Sequence, residues 1–489
     1  MATSRSAVPV NRNRLPIIVV VAAGLAILIA VWTSRITDSR IDQDGGHTLT
    51  MAVNLAHSGV MSLKTEPPLV PSMYREPLPV AVAAAAVLGI DALHGRADLP
   101  DYFEGPRARL VKLTNVLWML LLCGGVYAAI YLLTGSRTLG LAGAVLVNIP
   151  LPLVASGFAG LGLDSLNSDL PAAALLVGGS ALLAAGLSDA RTGRCLVAGA
   201  VFGALALVKA SFLYVFVGIV ASLFLVGGVA VRRNRRWRIV RNGLVLTACF
   251  AAVVAPWMLR NHLQFGTYAI AERGGVVLLI RAVKDQMTAE EYRGAFYVWA
   301  PYGIRPAVGR LLGFQPRDLD RGGRLQRLNR YPSADFHADD VAAERAGRPD
   351  LAISYYREAR AQRVQLNREI GRALGSLEVD RRLQERALEK IARHPWRHLA
   401  VTVPVLWRGA FATFPVLVLG SAVAWRRRDL RLVTFLWPAM GLVLFYGLLS
   451  HFIPRYGVPV VPIAIVIALS VAGGVLGSRP TFAKPGGRQ

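Results

Sequence analysis

Residues 113–134 read LTNVLWMLLLCGGVYAAIYLLT, an uncharged apolar stretch long enough to cross a bilayer as one helix. A surface helix of a water-soluble protein keeps a polar face, and this segment has none. Working outward, similar runs fall at about 15–33, 138–157, 170–187, 195–208, 210–230, 242–259, 400–424, 432–450 and 457–476. A further run at 77–93 opens with Pro77 and Pro79, holds four consecutive alanines and carries Asp91. The whole chain agrees with this pattern: 489 residues, 54% of them hydrophobic, with a mean hydropathy of +0.44. The fold class that follows is all-α: a polytopic membrane bundle of about ten transmembrane helices.

Charge sets the orientation. Fifty-five Lys and Arg against 30 Asp and Glu give +25. In a water-soluble chain such an excess points to nucleic acid; here the arginines cluster beside apolar runs, where positive charge fixes topology. Nucleic acid is therefore not an expected partner, and membrane lipid is. Arg5, Arg12 and Arg14 precede the first run, which has no small-x-small cleavage pattern and reads as a retained signal anchor with its N-terminus in the cytoplasm. The block from Arg232 to Arg241, the pair Arg191 and Arg194, and the cluster Arg426, Arg427, Arg428 and Arg431 all come out cytoplasmic only if the run at 77–93 does not cross. It is then an interfacial or re-entrant helix within a first outer loop, 34–112, that is itself amphipathic.

Three parts follow: an N-terminal transmembrane module, 1–259, containing that loop; an outer segment, 260–398, whose Arg/Glu/Asp/Ala-rich stretch 337–393 has helical spacing and forms a small extracytoplasmic lobe; and C-terminal helices with a cytoplasmic tail, 399–489. Cys123, Cys195 and Cys249 show no metal or disulfide spacing.

This topology gathers ionisable residues at one membrane face: Asp42, Asp44, Arg75, Glu76, Arg107, Arg109, Asp164, Asp169, Lys209, Arg260, His451, Arg455 and Tyr456. Headgroup anchoring accounts for any single arginine there, but not for acids joining the set. Acids with cations suit one reaction in particular. A carboxylate takes the proton of an acceptor hydroxyl, while guanidinium groups hold a leaving phosphate through paired hydrogen bonds. Nucleotides are absent outside the cytoplasm, so a lipid-linked sugar is the natural donor.

Six short motifs carry a resemblance to the type C superfamily of polytopic glycosyltransferases, which includes protein O-mannosyltransferases and aminoarabinose transferases. Residues 44–55, DGGHTLTMAVNL, resemble the acidic segment and amphipathic helix that follow the family's first span; the match makes Asp44 the catalytic base, with Asp42 beside it. Residues 74–79, YREPLP, resemble a proline-rich element whose basic residue lies at the donor phosphate, which implicates Arg75 and Glu76. Arg109 with Leu110 matches an arginine before the second span, and Ser168 with Asp169 resembles a second acidic site. Residues 255–261, APWMLRN, with Phe265 and Gly266, and residues 454–462, PRYGVPVVP, are similar to late family motifs that implicate Arg260, Arg455 and Tyr456.

Two positions depart from the pattern. Gly45 stands where the family often has Glu, and Lys209, within LVKA at 207–210, stands where relatives often have Arg, keeping the charge but not the fork. The resemblance implies an inverting transferase of the bacterial plasma membrane, its active site facing outward, that moves a sugar from a polyprenyl-phosphate donor to a hydroxyl of a glycan, lipid or protein acceptor. No cofactor is required by these motifs. Asp42, Asp44, Asp169 and His47 leave a divalent metal open, because members of the superfamily differ in metal use. Two other classes also remain: a transporter or flippase of lipid-linked intermediates, and a non-catalytic envelope assembly factor, for which Gly45 leaves room.

Overall fold

The computed structural model describes residues 15–149, 162–188, 191–229, 233–272 and 274–476. Among these the chain is helical throughout, with no strand. The apolar runs form the helices they predict, and Gly at left-handed positions ends several of them, as Gly59 and Gly135 do.

In chain order the N-terminal part comprises α1 (Leu15–Ser34), α2 (Gln43–Ser58), α3 (Pro77–His94), α4 (Pro106–Lys112), α5 (Thr114–Thr134), α6 (Arg137–Leu146), α7 (Asp169–Ser188), α8 (Thr192–Val208), α9 (Ser211–Val229) and α10 (Arg233–Phe265). The outer segment supplies α11 (Gly274–Ala282), α12 (Ala289–Val298), α13 (Arg305–Leu312), α14 (His337–Ala346), α15 (Tyr355–Leu366) and α16 (Arg372–Arg393). The C-terminal part adds α17 (Pro395–Ala410), α18 (Thr413–Arg427), α19 (Leu430–Leu449), the single turn α20 (Pro454–Gly457) and α21 (Val461–Leu476).

Among the described residues six stretches are, by length and composition, able to cross a membrane: α3, α4 with α5, α7, most of α10, α19, and α20 through α21. The pair α17 and α18 makes a seventh if counted as one span. Four further apolar helices, α1, α6, α8 and α9, coincide with four of the expected spans; α1 runs 20 residues and α9 19, while α6 and α8 are shorter, at 10 and 17. The expected run at 138–157 continues into 150–161, which lies outside the described residues, as do Arg5, Arg12, Arg14, Arg232 and the C-terminal tail from 477. Helix α3, expected to lie along the outer face, meets the same length and composition criterion as the spans. Large apolar side chains stay exposed around the bundle, including Leu117 and Leu121 on α5, Val217 and Leu225 on α9, and Leu259 and Leu263 on α10. Such a girdle suits lipid rather than water.

The expected single span at 400–424 is corrected. It is two helices meeting at 104° across Phe411 and Ala412. The turn α20 docks at this break: Gly457 approaches Gly409 so closely that a Cβ there would sit 2.1 Å from the Gly409 carbonyl oxygen, and the Phe452 ring lies over Gly409.

Two cores hold the molecule. The smaller one joins α2, α3 and α4 through Leu49, Val53, Val80, Ala83, Val87, Ala108 and Val111, and explains why the amphipathic α2 exists: its apolar face has its own partner outside the main bundle. The larger core runs unbroken from the spans into the outer segment, where Leu279, Tyr355, Leu383 and Ala387 belong to the same cluster as Phe202 and Leu442. The helices of the expected lobe, α11 and α14 to α16, share the core of the bundle.

A buried polar hub fastens that joint. Arg281, fully buried, donates to the carbonyls of Gly447 (3.0 Å) and His398 (2.8 Å), to the Thr402 hydroxyl (2.9 Å) and to Asp285 (2.9 Å). Asp285 also pairs with the His398 ring at 2.7 Å. Breaking a satisfied buried network of this kind costs about 3–5 kcal/mol. From within α16, Asp380 caps α11 by accepting the Gly275 amide at 3.0 Å.

Candidate functional site

Four segments distant in sequence converge on one chain of charges. Helix α2 starts at Gln43, which places Asp44 in its first turn rather than at the N-cap. The Asp44 carboxylate is gripped by Arg75, from the loop before α3, and by Arg455 of α20, whose Nη1 lies 3.0 Å from Oδ2. The Nε of Arg455 reaches the Asp169 Oδ2 at 2.5 Å, and the second Asp169 oxygen accepts from Lys209 Nζ at 2.8 Å. The series runs Arg75, Asp44, Arg455, Asp169, Lys209.

Burial along it is uneven, and least at Asp44. The side chains of Asp169, Lys209 and Arg75 are 8%, 9% and 10% exposed, Arg455 14%, and Asp44 32%. Asp44 is thus the acid open to an incoming molecule, and Asp169 the inner acid that anchors Arg455. Neither carboxylate caps its own helix: Asp169, first residue of α7, gives both oxygens to side chains.

Local sequence explains the placement. Pro454 starts α20 and the tight approach of Gly457 to Gly409 fixes its seat, so Arg455 points from the helix break into the cluster. Lys209 sits at the C-cap of α8, between two apolar helices, where its ammonium also faces the Tyr456 ring at 5.6 Å. Tyr456 in turn packs between His451, 5.2 Å, and Tyr446, 5.3 Å between ring centres. Gly45 is buried against Ile41 and Leu166; a Cβ there would lie 3.1 Å from the Ile41 methyl, so the chain packs closely at this position.

The remaining sequence candidates fall as follows. Glu76, half-buried, is the N-cap of α3 beside Arg75. Asp42 is at the N-cap of α2 but makes no capping bond; it pairs on the surface with Arg40 and has no hydrogen bond to the cluster. Arg109 is exposed on α4 and makes no contact with the cluster. Arg260 packs over Trp257 (4.6 Å) and Phe265 and bonds Asn261, which makes it part of the end of α10 rather than of the site. These last three do not join because a motif fixes only order in the chain, while side-chain direction depends on the local backbone, extended at Asp42 and helical at Arg109 and Arg260.

Asp164 and Arg107 are structural. Asp164 takes Lys112, 2.9 Å, with the Thr37 amide and hydroxyl, tying the first loop to the start of α7. Arg107 donates to Asp91 and to the carbonyls of His94 and Gly95.

Sequence reasoning gave His47 only as a metal candidate. Its Nδ1 lies 3.2 Å from Arg75 and its ring packs edge-on to Tyr74, so it belongs to the site as a neighbour of the outer arginine. Its spacing, three residues after Asp44 on α2, was the available signal. Among the described residues no three His, Cys, Asp or Glu side chains gather as a metal site. The arrangement is able to accept a proton at Asp44 and to present two guanidinium groups to an oxyanion beside it.

Fold and site together define an all-helical, multi-pass membrane protein with a mixed acid and guanidinium cluster. No protein-family model and no curated protein matches the chain. Among solved structures it is similar to the oligosaccharyltransferase AglB of the archaeon Archaeoglobus fulgidus in complex with an inhibitory peptide and a dolichol-phosphate. The identity is 12% and the TM-score 0.48, over 93% of this chain and 50% of that one. A second structure from the same organism, tethered to an acceptor peptide, gives 13%, 0.46, 92% and 49%. ArnT of Cupriavidus metallidurans in the apo state gives 15%, 0.38, 91% and 77%. The chain spans about half the length of the oligosaccharyltransferase structures.

Proposed function

We propose that the protein is an inverting glycosyltransferase that moves a sugar from a polyprenyl-phosphate donor to a hydroxyl of an extracytoplasmic glycan, lipid or protein. The observation that carries this reading is two arginines on one accessible acid, one of them shared with a second acid: Arg75 and Arg455 flank Asp44, and Asp169 holds Arg455 from behind.

A donor phosphate entering beside Asp44 shares the two guanidinium groups with it. The acceptor oxygen then attacks the anomeric carbon, its proton passes to Asp44, and the sugar–phosphate bond breaks with its electrons going to the phosphate that the arginines hold. One displacement inverts the anomeric centre. The inner pair of Asp169 and Lys209 keeps Arg455 oriented, so that the fork costs no reorganisation as charge develops. Lateral access from the outer leaflet, and a bacterial plasma membrane as the location, complete the proposal.

The test is complementation of a deletion strain with wild-type protein, Asp44→Asn and Asp42→Asn, read by mass spectrometry of envelope glycans, lipids and glycoproteins. Loss of one sugar in the deletion, restored by wild type and Asp42→Asn but not by Asp44→Asn, is expected. Full restoration by Asp44→Asn sinks the mechanism and favours an assembly factor. Lipid-linked sugar crossing the bilayer in nanodiscs without transfer favours a flippase.

A further inference from the structure

Away from the Asp44 cluster, a pocket of about 300 Å³ counted to its open mouth lies where the outer helices meet the bundle. Four cations line it: Lys284, Arg327, Arg330 and Arg408. No carboxylate does. Arg327 has an acid partner, Glu358, at 3.1 Å, and the other three have none within ion-pair distance among the described residues. Lys284 is only 4% exposed, and its ammonium, which has three hydrogens to donate, makes a single long bond of 3.4 Å to the His451 carbonyl. Arg408 makes its own 3.4 Å bond to the same oxygen.

The acids nearby are committed elsewhere. Asp285 serves Arg281 and His398, Asp340 accepts from the amides and hydroxyl at 353–354, and Glu291 holds Tyr355 and the Thr288 amide. Burial, then Arg408, Arg281 and Arg330, push the Lys284 ammonium well below its ordinary range. Buried like charges that share one weak acceptor are unfavourable on their own, and an anion among them removes the conflict.

The pocket also has a route to the site. Arg408 and Trp299 line it and also line a second cavity at the break between α17 and α18, whose wall includes Pro454 and Gly457. Those two residues bracket Arg455. On the other side, the His451 ring bridges Tyr356 in the first pocket, at 6.3 Å, to Tyr456 at the cluster.

We propose that Lys284, Arg330 and Arg408, with Arg327, form a phosphate subsite beside the transfer centre that holds a phosphate of one of the two substrates. The role rests on the transferase reading; the binding does not. Guanidinium forks favour tetrahedral phosphate oxygens over chloride, and the aromatic rings of Trp299 and Tyr356 wall the site.

The experiment uses the full chain in nanodiscs and follows thermal unfolding against inorganic phosphate and pyrophosphate at constant ionic strength, with chloride as the balancing anion. Wild type is expected to gain stability from both phosphates. Arg330→Gln, on a partly exposed loop, and Lys284→Met should each raise the half-saturating concentration about tenfold, the worth of one charged hydrogen bond. Asp44→Asn should keep the wild-type response even if it abolishes transfer, which separates this proposal from the previous one. Nanodiscs containing polyprenyl phosphate identify the source: suppression of the response assigns the subsite to the donor, and an unchanged response assigns it to a phosphate on the acceptor. No gain over chloride in wild type, or an equal gain in Arg330→Gln and Lys284→Met, overturns the subsite.

Discussion

Asp169 and Lys209 form an ion pair whose two ends should not be equally expensive to remove. Both side chains are under a tenth exposed, so salt screens the pair little and neither charge has water to fall back on. In Asp169→Asn the Lys209 ammonium loses its carboxylate, and its remaining neighbours are the Tyr456 ring and a like-charged Arg455. An uncompensated buried charge of this kind costs about 3–5 kcal/mol. In Lys209→Met the Asp169 carboxylate still has Arg455 Nε at 2.5 Å, so the loss is that of one charged hydrogen bond, about 1.5–3 kcal/mol. The double variant removes both charges and leaves Arg455 its bond to Asp44, so it should be more stable than Asp169→Asn alone. Thermal unfolding of the four proteins in nanodiscs of one lipid composition, followed by tryptophan fluorescence, reads the order directly. Lys209→Met unfolding at or below the midpoint of Asp169→Asn would falsify the assignment of Arg455 as the second partner of Asp169.

Arg455→Lys keeps the charge but reaches only one of the two carboxylates, and sugar transfer should fall about a hundredfold while folding is kept; a wild-type rate refutes the fork. Arg281→Met should destabilise by about 3–5 kcal/mol, with faster hydrogen exchange at 274–286 and 398–402, since four acceptors lose their donor; unchanged exchange there contradicts the hub. Burial raises the Asp164 carboxyl, but the Lys112 and Thr37 hydrogen bonds outweigh it and leave it below the ordinary 3.8. A lowered carboxyl stabilises the fold above its unfolded value and loses that contribution as pH falls through the folded one. Protection of residues 35–41 against exchange should therefore hold down to about pH 3.8 and fail below it; opening that begins near neutral pH refutes the lock.

The sequence by itself determined the class. Uncharged runs such as 113–134 cannot be solvated as ordinary surface, and a helix spanning the bilayer is the structure that satisfies their backbone. It also put Asp44, Arg75, Asp169, Lys209 and Arg455 on a short roll of candidates, because charges at the edge of apolar segments are costly without a partner. Tertiary structure decided which of those candidates meet. Asp42 stood beside Asp44 as an alternative and Arg109 ranked with Arg75, yet Asp42 lies at the extended N-cap of α2, turned to Arg40 on the surface, and Arg109 on the exposed face of α4. Pro404, Arg408, Gly409 and Pro415 interrupt the apolar run at 400–424, but the bend itself was decided by the seat of α20, which depends on the contact of Gly457 with Gly409, far apart in the chain. The Lys284 pocket was hidden for the same reason: its four cations come from α17 and from three places in the outer segment, and only packing brings like charges together against their own repulsion.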